Sequence, residues 1–173
     1  MNKNLIAILL VISTFACGGQ VDPADDAQDL KAPPSFEPFT MYATAKAHAA
    51  RYCSNPAAFG LEGELNADHK TYAWTWQFRC DGQVFVMVAV GPTGARVTSH
   101  GLRTWLLGCS TFDPATVKVN ATGLLAILKK QGVSQPDDME LGEVLAPNAS
   151  PKWSVTAGKT SVSVDAMSGK VDG

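Results

Sequence analysis

The most regular pattern in the chain is an alternation of apolar and polar positions over residues 72–80. Aromatic residues occupy every second position from Tyr72 to Phe78, and small or polar residues lie between them. Because side chains of a strand point alternately to its two faces, this pattern predicts a strand with one buried aromatic face. Similar alternations or apolar runs predict strands at 59–66, 84–90, 139–145, 152–157 and 161–165.

Two further segments fit helices. Residues 40–53 are rich in alanine, and residues 120–130 carry leucine and isoleucine along one side, between a capping Asn120 and a terminating Gly132. The order helix, strand, strand, strand therefore occurs twice. We expect an α+β fold of two tandem α-β-β-β modules over 37–98 and 113–173, joined by a connector at 99–112. In this interpretation each module has an antiparallel sheet covered by its own helix, although the two could share one sheet.

The N-terminus has the order of an export signal. Lys3 precedes an apolar run at 5–12, which is too short to span a bilayer, and a small Ala16 stands before Cys17. The segment Ala16-Cys17-Gly18-Gly19 resembles the lipobox of bacterial lipoproteins, in which the cysteine is acylated and becomes the first residue. Ordinary cleavage after residue 16 is the alternative, because residues 14 and 15 depart from the lipobox pattern.

Residues 17–36 are rich in Asp, Pro and Ala, a composition that cannot bury enough apolar surface to fold alone. We expect them to form a flexible tether behind a signal peptide of residues 1–16. The lipobox resemblance implies an extracytoplasmic protein held in the bacterial envelope by lipid on Cys17. Gly18, rather than Asp, after that cysteine implies the outer membrane by the same resemblance.

The net charge of the chain argues against a nucleic-acid partner. The 173 residues include 14 basic and 16 acidic side chains, a net charge of −2, whereas nucleic-acid-binding proteins carry a basic excess. Removal of residues 1–16 would take away one basic and no acidic residue, which leaves −3. The predicted membrane anchor is therefore the lipid, not a basic surface.

The C-terminal strands carry a second resemblance. Residues 153–155 and 162–171, which include Val162-Ser-Val164-Asp165-Ala166-Met-Ser168-Gly-Lys-Val, resemble the closing hairpin of a PepSY domain, with Ser168 in place of the usual threonine. The first half matches this hairpin less well. The resemblance implies cystatin-like modules, found in extracytoplasmic proteins and proposed to regulate or inhibit peptidases.

Three cysteines remain beyond Cys17, and no two of them form a C-x-x-C motif. In an exported protein a disulfide is the usual state of a cysteine pair. Cys53 closes the first predicted helix and Cys80 closes the aromatic strand at the same end of the sheet, so we favour a disulfide between them. Cys109 is then a free thiol, an intermolecular link, or the true partner of one of the other two.

The sequence offers no catalytic, cofactor or metal site. His48, His69 and His100 are far apart and lack metal-ligand spacing, and no nucleophile motif occurs. Glu62 and Glu64 share one face of a predicted strand, which we interpret as solvent-facing rather than cation-binding.

Two function classes remain open. The first is a non-catalytic binding or regulatory module with a protein or peptide partner, which the PepSY resemblance suggests is an envelope peptidase. The second is a structural envelope lipoprotein with no dedicated ligand. Basic and aromatic residues also cluster around the start of the connector, namely Arg96, His100, Arg103 and Trp105, and we interpret them as a solvated linker.

Overall fold

A computed structural model describes residues 30–102, 110–143 and 150–172. Within these ranges the chain forms one antiparallel sheet of eight strands, in the spatial order β4-β3-β2-β1-β5-β6-β7-β8. The strands are β1 (Ala57–Leu65), β2 (Tyr72–Arg79), β3 (Val84–Gly91), β4 (Gly94–Leu102), β5 (Asp138–Glu143), β6 (Pro151–Ala157), β7 (Thr160–Asp165) and β8 (Val171–Asp172). Two short α-helices accompany them, α1 (Tyr42–Ala49) before β1 and α2 (Ala121–Lys130) before β5.

The prediction of two tandem α-β-β-β modules, each with its own sheet and helix, is wrong. Strands β1 and β5 pair along their length, from Gly60 opposite Gly142 to Glu64 opposite Asp138, so all eight strands belong to one sheet. Each group of four strands alone would expose one of these two strands as an edge with unpaired backbone groups. Their pairing removes both edges, and the protein is mostly β-structure rather than a pair of helix-covered modules.

Both helices pack on the same face of the sheet, which we call the covered face. The main core cluster contains residues of α1, α2 and the strands of both halves, and a small second cluster of Phe59, Phe85 and Met87 is separate from it. The ring of Phe39 lies 5.3 Å from that of Trp76 and 6.4 Å from that of Trp153, measured between centroids. Trp74 and Trp153 also contact edge to face at 6.5 Å. The aromatic alternation of β2 therefore supplies one core that extends across both halves of the chain.

Indole groups fix the chain segments that lead into the two helices. Trp76 donates its Nε1 hydrogen to the carbonyl oxygen of Pro38 at 3.1 Å, and Trp153 donates to that of Val119 at 2.7 Å. Asn120 then caps α2 by accepting a hydrogen bond from the backbone of Gly123. Each helix is thus held to the sheet near its beginning by an indole N–H.

The structure contains a disulfide between Cys53 and Cys80, the pair that the sequence favoured. It joins the segment after α1 to the residue that follows β2, with 5.9 Å between the two Cα atoms. The backbone of Asp81 also donates to the carbonyl of Ser54 at 3.2 Å. The end of α1 is therefore fixed to the sheet covalently and by hydrogen bonding. Cys17 and Cys109 lie outside the described residues.

Candidate functional site

The other face of the sheet carries no helix of the described chain, and we call it the polar face. Its central side chains alternate with the core residues along β2, β1, β5 and β6. They include Thr75, Gln77, Glu62, Glu64, Asp138, Glu140, Lys152 and Ser154. Most are carboxylates, amides or hydroxyls, in contrast to the aromatic and aliphatic residues of the covered face.

Four carboxyl groups meet at the centre of the polar face, and we call them the acidic quartet. Glu62 of β1 lies directly opposite Glu140 of β5, and Glu64 lies directly opposite Asp138. Cross-strand neighbours have Cβ atoms about 5 Å apart, and like charges in such positions destabilise a sheet. Glu64 is exposed and the other three are partly exposed, so solvent and a partner can reach the quartet.

Burial and mutual repulsion shift the protonation of this cluster. Burial raises the pKa of Glu62 to about 7, and the charges of Asp138, Glu140 and Glu64 add to the effect. Burial also raises the pKa of Asp138 and of Glu140, with further contributions from Glu64 and Asp138 respectively. A hydrogen bond of 3.2 Å from Gln77 Nε2 to Glu62 Oε2 acts in the opposite direction and favours the charged form.

No basic side chain of the described ranges neutralises the quartet. Oδ1 of Asp138 is buried without a hydrogen-bond partner. Lys152 lies on the same face but donates to Asp172 at 2.9 Å, so its charge is already paired. Nor do three His, Cys, Asp or Glu side chains of the described chain form a group that could hold a metal ion. The arrangement suits a cationic side chain supplied by another molecule.

The structure does not bring the three histidines together. His48 lies on α1, His69 lies in the turn between β1 and β2, and His100 lies on β4. The His100 ring packs on Tyr52, with 4.5 Å between ring centroids, on the covered side of the sheet. This scatter leaves no pair of imidazoles that could share a metal ion or a proton among the described residues.

The four residues of the predicted basic and aromatic patch lie partly on β4 and partly outside the described residues. Arg96 and His100 belong to β4 rather than to a linker, so that interpretation is wrong for these two. Arg96 lies on the polar face, and its Nε and Nη2 atoms are buried without a hydrogen-bond partner. Arg103 and Trp105 lie outside the described residues.

The sequence did not reveal the acidic quartet because two of its residues come from the first half of the chain and two from the second half. Glu62 and Glu64 alternate on one strand, and Asp138 and Glu140 alternate on another, more than 70 positions later. Each alternation alone is typical of a strand with a solvated face. Only the pairing of β1 with β5 places the two acidic rows side by side.

Comparison with known proteins gives a fold likeness only. No family model and no curated protein matches the chain. A solved structure of a "putative lipoprotein" from Clostridium difficile 630 superposes with a TM-score of 0.54 and 13% sequence identity, over 84% of this chain and 93% of that one. At this identity the similarity shows the fold alone, so the PepSY resemblance still depends on the C-terminal hairpin. Among the helices of the described ranges, none has the length and apolar character required to cross a membrane.

Proposed function

We propose that this chain is a non-catalytic, lipid-anchored binding protein of the bacterial envelope, and that a protein partner binds its polar face. The observation that carries the proposal is the acidic quartet, in which like charges face each other across two central strands. Such opposition costs stability, and the described residues supply no neutralising cation. A Lys or Arg side chain of a partner would provide it.

The raised pKa values give this interaction a defined pH dependence. Because the pKa of Glu62 is about 7, a fraction of the molecules carries a proton there at neutral pH. A cationic partner favours the ionised form, so its binding would displace that proton. We expect affinity to increase as the pH rises from 6 to 8.

The N-terminal sequence supports the anchor. Lys3, the apolar run at 5–12 and the lipobox-like residues 16–19 form the pattern of an exported lipoprotein. The similar solved structure also carries the description "putative lipoprotein", although the likeness itself concerns the fold. Mass spectrometry of the protein from membranes tests this part, since the mature chain should begin at an acylated Cys17. An unmodified N-terminus at that residue would contradict the anchor.

The PepSY resemblance of residues 153–171 makes an envelope peptidase the first partner to test. The experiment is a pull-down from envelope extract with the chain from residue 17 onwards, followed by an assay of the purified partner. The informative variant is Glu62→Gln with Glu140→Gln, which removes the charge of one opposed pair and keeps the shape. The control is Asp81→Asn with Asp113→Asn, because both residues are exposed and neither lies on the polar face.

Capture of a peptidase that the control retains and the quartet variant loses would support the proposal, as would inhibition of that peptidase. Capture of another protein with the same dependence would support binding at the polar face and remove the peptidase. If both variants bind like the wild type, the polar face is not the binding surface. A chain that captures nothing would favour the alternative, a structural lipoprotein with no dedicated ligand.

A further inference from the structure

A cleft of about 550 Å³ lies on the covered side of the molecule, away from the acidic quartet. Its walls are α2, the turn between β1 and β2, and the segments around residues 34 and 135. The volume is within the range of about 300–1,000 Å³ that is typical of small-molecule sites. We call it the lysine cleft, after Lys70 and Lys129, which line it.

The floor of the lysine cleft is apolar and fixed. Tyr72 and Leu125 line it, and the Tyr72 hydroxyl is occupied because it donates to the carbonyl of Pro136 at 3.1 Å. The turn that forms one wall is held by Asp68, which accepts hydrogen bonds from the backbones of Lys70 and Thr71. The walls are therefore formed before any ligand arrives.

The rim of the cleft is cationic. Lys70 and Lys129 line it together with His69, and no carboxylate does. Neither lysine takes part in an ion pair within the described ranges, and the neighbouring Asp68 is already paired with Lys31 at 3.8 Å. The chain as a whole has a net charge of −2, so this local excess is not a consequence of composition. Lys129 also complements the C-terminal dipole of α2, but Lys70 lies in a turn, where no such role explains it.

We propose that the lysine cleft binds the phosphate group of an anionic ligand, either a phospholipid headgroup or a soluble phosphate ester. Two ammonium groups act as compact point charges that suit phosphate, and the apolar floor takes the carbon portion beside it. The two lysines of the cleft, rather than the net charge of the protein, attract the ligand, because a chain with a net negative charge is not drawn to an anionic surface.

The cleft lies close in sequence to the proposed lipid anchor, so the phospholipids of that membrane are one source of such a ligand. The first residues of the described chain lie beside the cleft. Ala32 pairs there with Tyr72 through two backbone hydrogen bonds of 3.0 and 2.7 Å. Cys17 and Leu30 are thirteen positions apart in the sequence, a reach of at most about 45 Å. The lipid source, unlike the phosphate chemistry, rests on the proposed membrane anchor.

The test uses the chain from residue 17 onwards with Cys17→Ser, so that its result does not depend on acylation. Glycerol 1-phosphate and inorganic phosphate are titrated by NMR, and vesicles of phosphatidylglycerol or phosphatidylcholine are sedimented with the protein. We expect amide shifts centred on Lys70 and Gln135, or sedimentation with phosphatidylglycerol but not phosphatidylcholine. The variant Lys70→Gln with Lys129→Gln should weaken binding about fivefold, as expected for the loss of two exposed ion pairs. The control, Lys46→Gln with Lys118→Gln, removes two exposed lysines that do not line the cleft and should bind like the parent.

Binding of the vesicles alone would assign the ligand to a lipid headgroup, and binding of the soluble phosphates would show that the membrane is not required. The proposal is overturned if no probe binds. It is equally overturned if the cleft variant binds as tightly as the parent, or if the control loses as much affinity. A folded spectrum of the cleft variant accompanies each comparison, and Lys70→Arg, which keeps the charge, should retain most of the affinity.

Discussion

The two faces of the sheet follow opposite physical rules. On the covered face, Trp76, Trp153 and their neighbours are fully buried, and two of the indole N–H groups have carbonyl partners. On the polar face, carboxyl groups of adjacent strands oppose one another, and burial raises the pKa values of Glu62, Asp138 and Glu140. The covered face is arranged to stabilise the fold. The polar face keeps an arrangement that weakens it, which is the pattern expected of a surface retained for binding.

Truncation of the covered face should have the largest effect. Trp76 has no exposed surface and contacts Phe39 and Tyr42, so Trp76→Ala should lower the free energy of unfolding by about 3–5 kcal/mol. Denaturant unfolding followed by circular dichroism measures this. The matched variant on the other face is Ser154→Ala, at an exposed position, which should change stability by less than about 0.5 kcal/mol. A loss near zero for the tryptophan variant would mean that the two faces are assigned the wrong way round.

Loss of the disulfide should follow closely. The Cys53–Cys80 bond spans a sequence separation of 27, and in the chain-entropy model its removal costs roughly 3–4 kcal/mol. Cys53→Ala with Cys80→Ala should show this decrease in a denaturant titration. Addition of a reductant should destabilise the parent by a similar amount and leave the double variant unchanged. A parent protein that is insensitive to reductant would contradict the bond.

A feature of the two faces can be predicted from the sequence when the residues that form it are close together along the chain. The aromatic period of two in β2, the helix with its Asn120 cap and the pairing of Cys53 with Cys80 are local or nearly local features. They follow from side-chain alternation, capping chemistry and the ends of adjoining elements. These predictions agree with the described elements, and Trp74, Trp76 and Phe78 are buried.

The number of sheets could not be predicted in the same way. The pairing of β1 with β5 joins residues more than 70 positions apart, and no turn fixes its register. Strand β4 was missed because residues 94–102 contain two glycines and several polar residues, and all of them are partly or fully exposed at one edge. The acidic quartet depends on the β1–β5 pairing, so it could not be found before the topology.

The carboxyl groups of the polar face should make the free energy of unfolding depend on pH. The pKa of Glu62 is about 7 in the folded protein, above its ordinary value of 4.5, so the folded state binds this proton more tightly than the unfolded state. The stability that this protonation contributes is complete below about pH 4.5 and is lost as the pH rises through 7. Glu62→Gln cannot titrate, so it should be more stable than the parent by about 1–3 kcal/mol at pH 8 and nearly equal at pH 4.5.

Urea unfolding at a series of pH values measures this difference. Asp81→Asn, an exposed change away from the polar face, serves as the control and should follow the parent at every pH. The contrast between the faces would be lost if the Glu62 variant were the less stable protein at pH 8. It would also be lost if the parent gained stability between pH 5 and 8.

The smallest expected effect lies within the covered face itself, where two buried indoles differ in one hydrogen bond. Trp153 Nε1 donates to Val119, whereas Nε1 of Trp74 is buried without a partner. Replacement by phenylalanine leaves a cavity of similar size in both cases, but only Trp153→Phe deprives a buried carbonyl of its donor. We therefore expect Trp153→Phe to cost about 1 kcal/mol more than Trp74→Phe, measured as the difference between two denaturant midpoints with equal slopes. Equal losses would mean that the N–H of Trp153 contributes nothing beyond packing, and the carbonyl of Val119 would then have to be satisfied by water in the variant.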